Sequence, residues 1–508
     1  MIKNSLICHN AQFEHKWLLY NGYNVDIVHD TKILAHLVDE RLPLDLESLC
    51  LYFGIDKSYK CGSAVLDLEG IPLLERNTRD AYNTFKLYEV LYPKLSREEK
   101  NIYHKVLIPA TKTLAKIELA GIQVDEKLLP EIRQKIEKEI QEIDLQNDKT
   151  IQEFNVFSQK MFNVNSTIHK KLLIYDILNY KIIKRNKTGE PSVDANTLKA
   201  LLLKEHKENK HKSGNNCETC KKQTLYKIVA TSSLQGYLEN FLNPLPKYIV
   251  DGKIYPNLWL AETSSGRIKS NNPNMQNSPK DYPRQVFISS YPDGVLSEID
   301  YTGIELKLMA CLAQDEVLLK GFLEGDPHRD TASLIFNKKE ISKSERDIAK
   351  TFNYGLIYGA GGYRLSLLTG INRFQINKML EKYWEVHGCI KTYWENWVKG
   401  DLVYSPTGMK RHWTKETEAK NFPIQNSAFI LMLQGLNRLV EFVEKTKAGK
   451  VCLTVHDSFV IDWESEKSAR KYLPECIGIV CKHNMDWITI PITVDTKIGK
   501  NWYETEAL

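Results

Sequence analysis

Two carboxylates stand where one element gives way to the next. Val295-Leu-Ser-Glu-Ile-Asp300 reads as a strand whose last residue is an acid, and Tyr301-Thr-Gly-Ile-Glu305-Leu-Lys-Leu-Met-Ala310 follows with helical apolar spacing. Asp300 would then face a crevice at a strand end. A carboxylate there suits a hard cation such as Mg²⁺, which prefers oxygen ligands and leaves room for water and phosphate. The plainer alternative is a helix N-cap. Lys450-Val-Cys-Leu-Thr-Val455 and Phe459-Val-Ile-Asp-Trp463 read as two strands joined by a tight turn at His456-Asp457-Ser458. Such a hairpin presents Asp457 at its tip, although an ordinary Asx-turn has the same composition.

A third segment carries charge in a helical register. Ser342-Lys-Ser-Glu345 fits a capping box opening a helix that runs through Arg346, Lys350, Tyr354 and Tyr358 to a Gly359-Ala-Gly-Gly362 stop. Steps of four drift by only about 40° on an α-helix, so two cations and two phenols share a stripe. The cations could hold a polyphosphate while the rings stack on a base; a solvated basic face followed by core aromatics is the alternative. A fourth set, His206-x4-His211-x5-Cys217-x2-Cys220, offers two nitrogens and two sulfurs that could hold a tetrahedral zinc. It could equally be part of a lysine-rich loop that grips a nucleic-acid backbone, since seven lysines lie between Lys204 and Lys227.

These residues must be positioned by more than one domain, because 508 residues exceed what a single core usually organises. The composition, 42% hydrophobic and 26% charged with a net charge of +5, is that of a soluble globular protein; it permits nucleic-acid binding without demanding it. Ten scattered cysteines point to a reducing compartment, and neither a signal sequence nor a membrane span is visible. A cytoplasmic location, in the host if the source is viral, is the expectation. Residues 1 to about 95 mix short apolar runs with helical patterns at Thr31–Asp39 and Ala81–Tyr92 and read as α/β. The stretch to about 250 is largely helical, with Lys/Glu-rich segments such as 126–153 and turns at Asn186–Pro191 and His211–Cys217. From about 251 onward, strand-like runs (Gly294–Ile299, Lys450–Val455, Phe459–Trp463) alternate with helices.

Taken together and in this order, Asp300-Tyr-Thr-Gly-Ile-Glu305-Leu-Lys, Arg346-Asp-Ile-Ala-Lys350-Thr-Phe-Asn-Tyr354-Gly-Leu-Ile-Tyr358-Gly and Val455-His-Asp457-Ser resemble motifs A, B and C of family A DNA polymerases. Thr263-Ser-Ser-Gly-Arg267, Asn274-Met-Gln-Asn277 and Asn421-Phe-Pro-Ile-Gln425 are similar to supporting segments of that family. The resemblance implies an α/β multidomain, right-hand polymerase: thumb at 96–250, palm at 251–312 and 425–508, and fingers at 313–424. It implies template-directed addition of dNTPs to a primer 3′-hydroxyl on primer-template DNA. Asp300 and Asp457 would bind two Mg²⁺ ions, with Mn²⁺ as a substitute. It assigns Arg346, Lys350 and His328 to the triphosphate, and Glu305 with Tyr358 to exclusion of a 2′-hydroxyl. Tyr354 is the form associated with acceptance of dideoxynucleotides. Arg267, Asn274, Asn421 and Gln425 are assigned to DNA contacts, His456 to the primer terminus, and a thumb insertion to docking of a processivity factor.

The chain also departs from that family. Ser458 stands where most of its DNA polymerases carry Glu, as in phage-type single-subunit RNA polymerases, and Gly303 and Lys307 replace the usual Gln and Arg. Glu305 and the Tyr354 helix weigh against RNA synthesis. A non-catalytic DNA-binding or assembly protein on the same fold is the other alternative, and the presence of both aspartates weighs against it. Cys8-His-Asn10-Ala-Gln-Phe13-Glu14 and Asp80-Ala-Tyr-Asn-Thr84 resemble two motifs of the proofreading exonuclease, but its Asp-x-Glu motif is missing and Arg76 replaces a Tyr. The expectation is an incomplete ribonuclease H-like exonuclease domain at 1–95 that does not proofread by itself. It is either a decayed scaffold or completed by a separate chain covering the exposed sheet edge.

Overall fold

The computed structural model describes residues 6–56, 73–208 and 218–507. It begins with a parallel pair of short strands, β1 (Leu6–Cys8) and β2 (Ile27–Asp30), linked through helix α1 (Ala11–Tyr20). Asp30 ends β2 and accepts from the backbone N–H of Asn10 (3.1 Å) and Ala11 (2.7 Å) on one side. On the other it accepts from Lys32 N–H (2.8 Å) in the first turn of α2 (Thr31–Val38). One buried acid thus caps two helices, which fixes the entry of the chain into both. Helices α3 (Leu46–Tyr52) and α4 (Leu73–Leu91) complete this unit. Its apolar residues do not form a separate core: Leu34, Leu87 and Leu91 join the cluster that runs under the main sheet. The junction is polar as well as apolar. Buried Glu118 on α5 (Ile108–Ala120) accepts from Gln12 (2.9 Å) and from Leu258 N–H (2.6 Å), and Lys16 lies 3.2 Å away.

The next region is helical, as its spacing predicts. In α6 (Leu128–Ile143) the buried residues are Leu129, Ile132 and Ile136, the three- and four-residue steps of one core-facing stripe. Helices α7 (Lys149–Ser158), α8 (Ala195–Glu208) and α9 (Glu218–Tyr237) surround a distinct core containing Ile151, Phe154, Leu173, Leu225 and Ile228. The predicted turn at Asn186–Pro191 is present: the Asn186 side-chain oxygen accepts from the N–H of Thr188 and Glu190, and Arg185 pairs with Pro191. The predicted break at His211–Cys217 lies outside the described residues.

The rest of the chain is built around an antiparallel sheet. Its central strand, β4 (Val295–Tyr301), leads into α10 (Ile304–Ala313). Helices α11 (Pro327–Phe336), α12 (Lys343–Ile357) and α13 (Gly362–Thr369) form a second helical unit with its own core, including Ala332, Phe352, Leu365 and Tyr383. The 31-residue α14 (Glu416–Thr446), about 46 Å long, then runs behind the sheet. It is followed by β5 (Gly449–Val455), β6 (Ser458–Trp463), α15 (Glu466–Cys481), β7 (Val494–Gly499) and β8 (Thr505–Ala507). The strand order is β5-β6-β4-β7-β8. Strand periodicity divides β4. Ser297, Ile299 and Tyr301 turn toward the helices, where Tyr301 donates to Val480 O (2.7 Å) and Trp463 donates to Ser297 (2.8 Å), while Glu298 and Asp300 occupy the opposite face. Among the described residues, no helix is long and apolar enough to cross a membrane.

Candidate active site

Sheet register brings the two carboxylates together. β6 pairs with β4 so that Ser458 stands opposite Asp300, and Asp457 is the residue before it. The hairpin is tighter than its sequence suggests. Val455 pairs directly with Ser458, leaving a two-residue turn of His456 and Asp457, with His456 at φ 52°. Positive φ in such a turn matches the twist of the flanking strands, so Ser458 is a buried strand residue rather than part of the turn. Asp300 is likewise not the end of its strand. β4 continues through Tyr301 because β7 pairs with it there, Val494 opposite Tyr301 and Asp495 opposite Asp300. Tyr301 N–H also donates to Asp457 O at 3.2 Å.

Asp300 is half-buried. Burial, reinforced by the charges of Glu298, Asp457 and Asp495 and opposed by Lys280, holds its carboxyl above the usual carboxylate range. Asp300 and Asp457, brought to neighbouring positions of paired strands with so little counter-charge, offer hard oxygen donors whose chemistry fits a divalent cation, and Glu298 and Asp495 add negative charge around them.

Beside this pair lies a cavity of about 260 Å³ whose walls include Arg267, Gln276, Glu305, Tyr358, His456 and Asp457. Glu305 sits in the first turn of α10, 6% exposed and ion-paired with Arg267. Burial moves its pKa up to about 7, against the pull of Arg267 and with a further push from Asp457. Burial is also the main cause that raises the Tyr354 phenol, with Glu305 and Asp457 adding to it. His456 is held below the usual histidine range, mainly by burial. Its backbone N–H donates to the Gln276 side chain at 2.6 Å, and Gln276 in turn donates to Thr454 O at 3.2 Å.

The capping box that opens α12 is formed as the sequence predicts, with Ser342 and Glu345 satisfying each other's backbone N–H. Arg346, Lys350 and Tyr354 follow one another along α12. The helix ends at Ile357, so Tyr358 is its C-cap, and Gly362 opens α13 instead of belonging to the stop. Arg346 is ion-paired with Asp326, the N-cap of α11. His328 in the first turn of α11 has its Nδ1 3.1 Å from the Asn353 amide and its ring 5.8 Å from that of Tyr354. Burial, with Arg346 adding to it, lowers its pKa to about 4, so it is neutral near pH 7. Lys350 is exposed and has no ion-pair partner among the described residues.

A family model described as DNA polymerase family A matches residues 126–504, three quarters of the chain. The chain belongs to DNA polymerase family A. It is 27% identical to DNA polymerase I of Borreliella burgdorferi over 98% of this chain and 56% of that protein. It is 26% identical to the thermostable DNA polymerase I of Thermus aquaticus over 93% of this chain and 57% of that protein. The chain thus spans about half the length of the curated relatives it matches. In fold it is similar to the polymerase domain of Pol1 from M. smegmatis, solved with DNA primer-template and dNTP: TM-score 0.81, 22% identity, covering 97% of this chain and 85% of that one.

Within this family A fold the cavity collects Arg267, Glu305, Tyr358, His456 and Asp457, but other predicted DNA contacts lie elsewhere. Asn421 and Gln425 are half-buried one turn apart on α14, and the Asn421 side-chain oxygen has no partner among the described residues. Asn274 lines a larger cleft of about 1000 Å³ between the helical region and the sheet-bearing body, with Lys170, Lys199 and Tyr237. Sequence reasoning missed Gln276, which braces the hairpin that carries Asp457, and Glu298 and Asp495, which share the face of Asp300. For Glu298 a signal was present, since two residues along a strand return to one face. Lys307, buried in α10, donates to Thr493 and to Pro491 O and so ties α10 to the approach to β7.

Among the described residues, the proofreading-like side chains stand on different elements. Asn10 is the α1 N-cap at φ 73°, Glu14 is half-buried with its pKa raised by burial, and Asp80 on α4 lies near Glu47 and Cys50, whose pKa values are raised chiefly by burial with a smaller push from Asp80. The one group of three ligand-type side chains among the described residues is Asp39, Glu40 and His412; it contains neither Glu14 nor Asp80, and Asp39 is engaged by Arg41. The side chains of His206, His211, Cys217 and Cys220, the predicted zinc set, lie outside the described residues.

Proposed function

We propose that the chain is a template-directed DNA polymerase that adds dNTPs to the 3′-hydroxyl of a primer. The observation that carries this reading is the register that sets Asp457 beside Asp300 on an under-compensated carboxylate face, next to a cavity walled by Glu305 and Tyr358. Asp300 and Asp457 are the residues that would hold two Mg²⁺ ions, or Mn²⁺ in their place. Bound there, such ions supply Lewis-acid stabilisation of charge on the attacking and leaving oxygens.

The chain's own groups do the positioning. Lys350 offers an exposed ammonium and Arg346 a guanidinium to the triphosphate; Arg346 must exchange Asp326 for phosphate, which couples nucleotide binding to the contact between α11 and α12. Neutral His328 can donate or accept a single hydrogen bond without adding charge. Glu305, clamped by Arg267, closes the floor of the cavity where a 2′-hydroxyl would have to fit, which favours DNA over RNA as product. The large cleft bearing Asn274 is the path assigned to primer-template DNA. The separate cores of 145–228 and 332–383 support the division into thumb, palm and fingers at the boundaries given above. The N-terminal unit acts as a scaffold, since Asp30, Gln12 and Glu118 are all engaged in holding it to the body.

Extension of a labelled primer-template with dNTPs or rNTPs, beside a primer with a mispaired 3′ end, tests this reading. Extension with dNTPs only, with no trimming of the mispair, is expected. Preferential use of rNTPs would favour an RNA polymerase, and trimming would restore an exonuclease function to the N-terminal unit.

A further inference from the structure

Glu298 and Asp300 lie two residues apart on one face of β4, and the register sets Ser458 of β6 and Asp495 of β7 opposite Asp300 on either side. Glu298 is held from the side. The Ser458 hydroxyl, whose single proton is shared between Glu298 Oε1 (3.1 Å) and Val455 O (3.0 Å), meets it on one side, and the guanidinium of Arg284 is 3.8 Å from the same Oε1. Arg284 is itself buried, stacked 3.7 Å from the centroid of the Trp502 ring. Both contacts fall on Oε1, and Oε2 accepts from no other group among the described residues. The side chain is only 15% exposed, so its charge is partly removed from water and acts on its neighbours more strongly than a surface carboxylate would.

Resting on the polymerase reading above, we propose that Glu298 is a third carboxylate of the divalent-cation site, tethered through Oε1 by Ser458 and Arg284 so that Oε2 is presented on the face of Asp300. Mg²⁺ gives up its water reluctantly and usually keeps several molecules when it binds carboxylates. A carboxylate set back on the same face can accept hydrogen bonds from such water and adds charge that favours the ion. If Glu298 only anchored Arg284, its replacement would alter stability and leave cation affinity alone.

The test is Mn²⁺ binding by electron paramagnetic resonance, on the full chain with a dideoxy-terminated primer-template. Glu298→Gln keeps the size of the side chain and an oxygen for Ser458 and removes the charge; its Mn²⁺ affinity should fall about tenfold, with Asp457→Ala as the control for site occupancy. The exchange E298S/S458E, which moves the carboxylate across to the neighbouring strand, should recover a large part of that loss. Wild-type affinity in E298Q, whatever its melting temperature, would overturn the proposal while leaving the polymerase reading intact. Absence of any Asp457-dependent Mn²⁺ binding in the wild type would overturn both. Should E298Q not fold, Ser458→Ala decides: the charge stays but loses its tether, so a weaker Mn²⁺ affinity supports the proposal and an unchanged one refutes it.

Discussion

Replacing Glu305 by Gln should stabilise the protein, and by an amount that depends on pH. Glu305 is 6% exposed, and its pKa rises from 4.5 to about 7, chiefly through burial. A carboxyl whose pKa is raised by folding contributes stability fully below its unfolded value and loses that contribution as pH climbs through the folded value. The relevant window therefore runs from about 4.5 to about 7. At about 1.4 kcal/mol per pH unit, the ionised form carries a penalty of about 3 kcal/mol at pH 8, net of the favourable contact with Arg267. Gln has nearly the same shape and no charge to desolvate. Urea unfolding of wild type and E305Q, followed by tryptophan fluorescence in the presence of a chelator from pH 5 to 8.5, measures the difference. It should be small at pH 5, grow through pH 6 and level off above about pH 7.5. A difference that is flat with pH, or a variant less stable than wild type at pH 8, would refute the argument that burial dominates the Glu305 environment.

The stripe on α12 gives two further expectations. Lys350→Ala removes an exposed ammonium that has no ion-pair partner among the described residues, so the fold should be unaffected while kcat/KM for dNTP falls about ten- to a hundredfold, the worth of a charge-assisted contact of about 1.5–3 kcal/mol. Steady-state kinetics beside a melting curve separates the two effects. Tyr354→Phe deletes one hydroxyl near Glu305 and Asp457; incorporation of dideoxynucleotides relative to dNTPs, read by chain termination in mixed-substrate extension, should fall by about tenfold, the value of one hydrogen bond of about 1–1.5 kcal/mol.

How much of this was legible in the sequence varies with the range of the interaction. The capping box of α12, the core-facing stripe of α6 and the hairpin strands were readable because each depends on neighbours within a few residues. Boundaries were read less well. The sequence suggests a strand ending at Asp300, but the strand is prolonged by β7, almost 200 residues further along the chain. His-Asp-Ser has turn composition and so suggests a turn that includes Ser458, yet a two-residue turn with one positive φ satisfies the sheet twist with fewer residues. Contacts between remote side chains left no local trace: Arg346 with Asp326, Arg267 with Glu305 and Gln276 with the His456 backbone follow from the fold alone. The same holds for Asp30, whose double capping role depends on two helices that start 20 residues apart.

If Asp300 and Asp457 together form the site of nucleotide addition, neither can be lost without losing the reaction. Single-turnover extension of a matched primer-template by the full chain with Mg²⁺ and dNTP, comparing wild type with Asp457→Asn and Asp300→Asn, tests it most directly. Either variant should lose extension by orders of magnitude while still binding the primer-template with near wild-type affinity, and the double variant should be scarcely worse than either single one, as groups acting as a unit behave. Extension that survives both substitutions would contradict it.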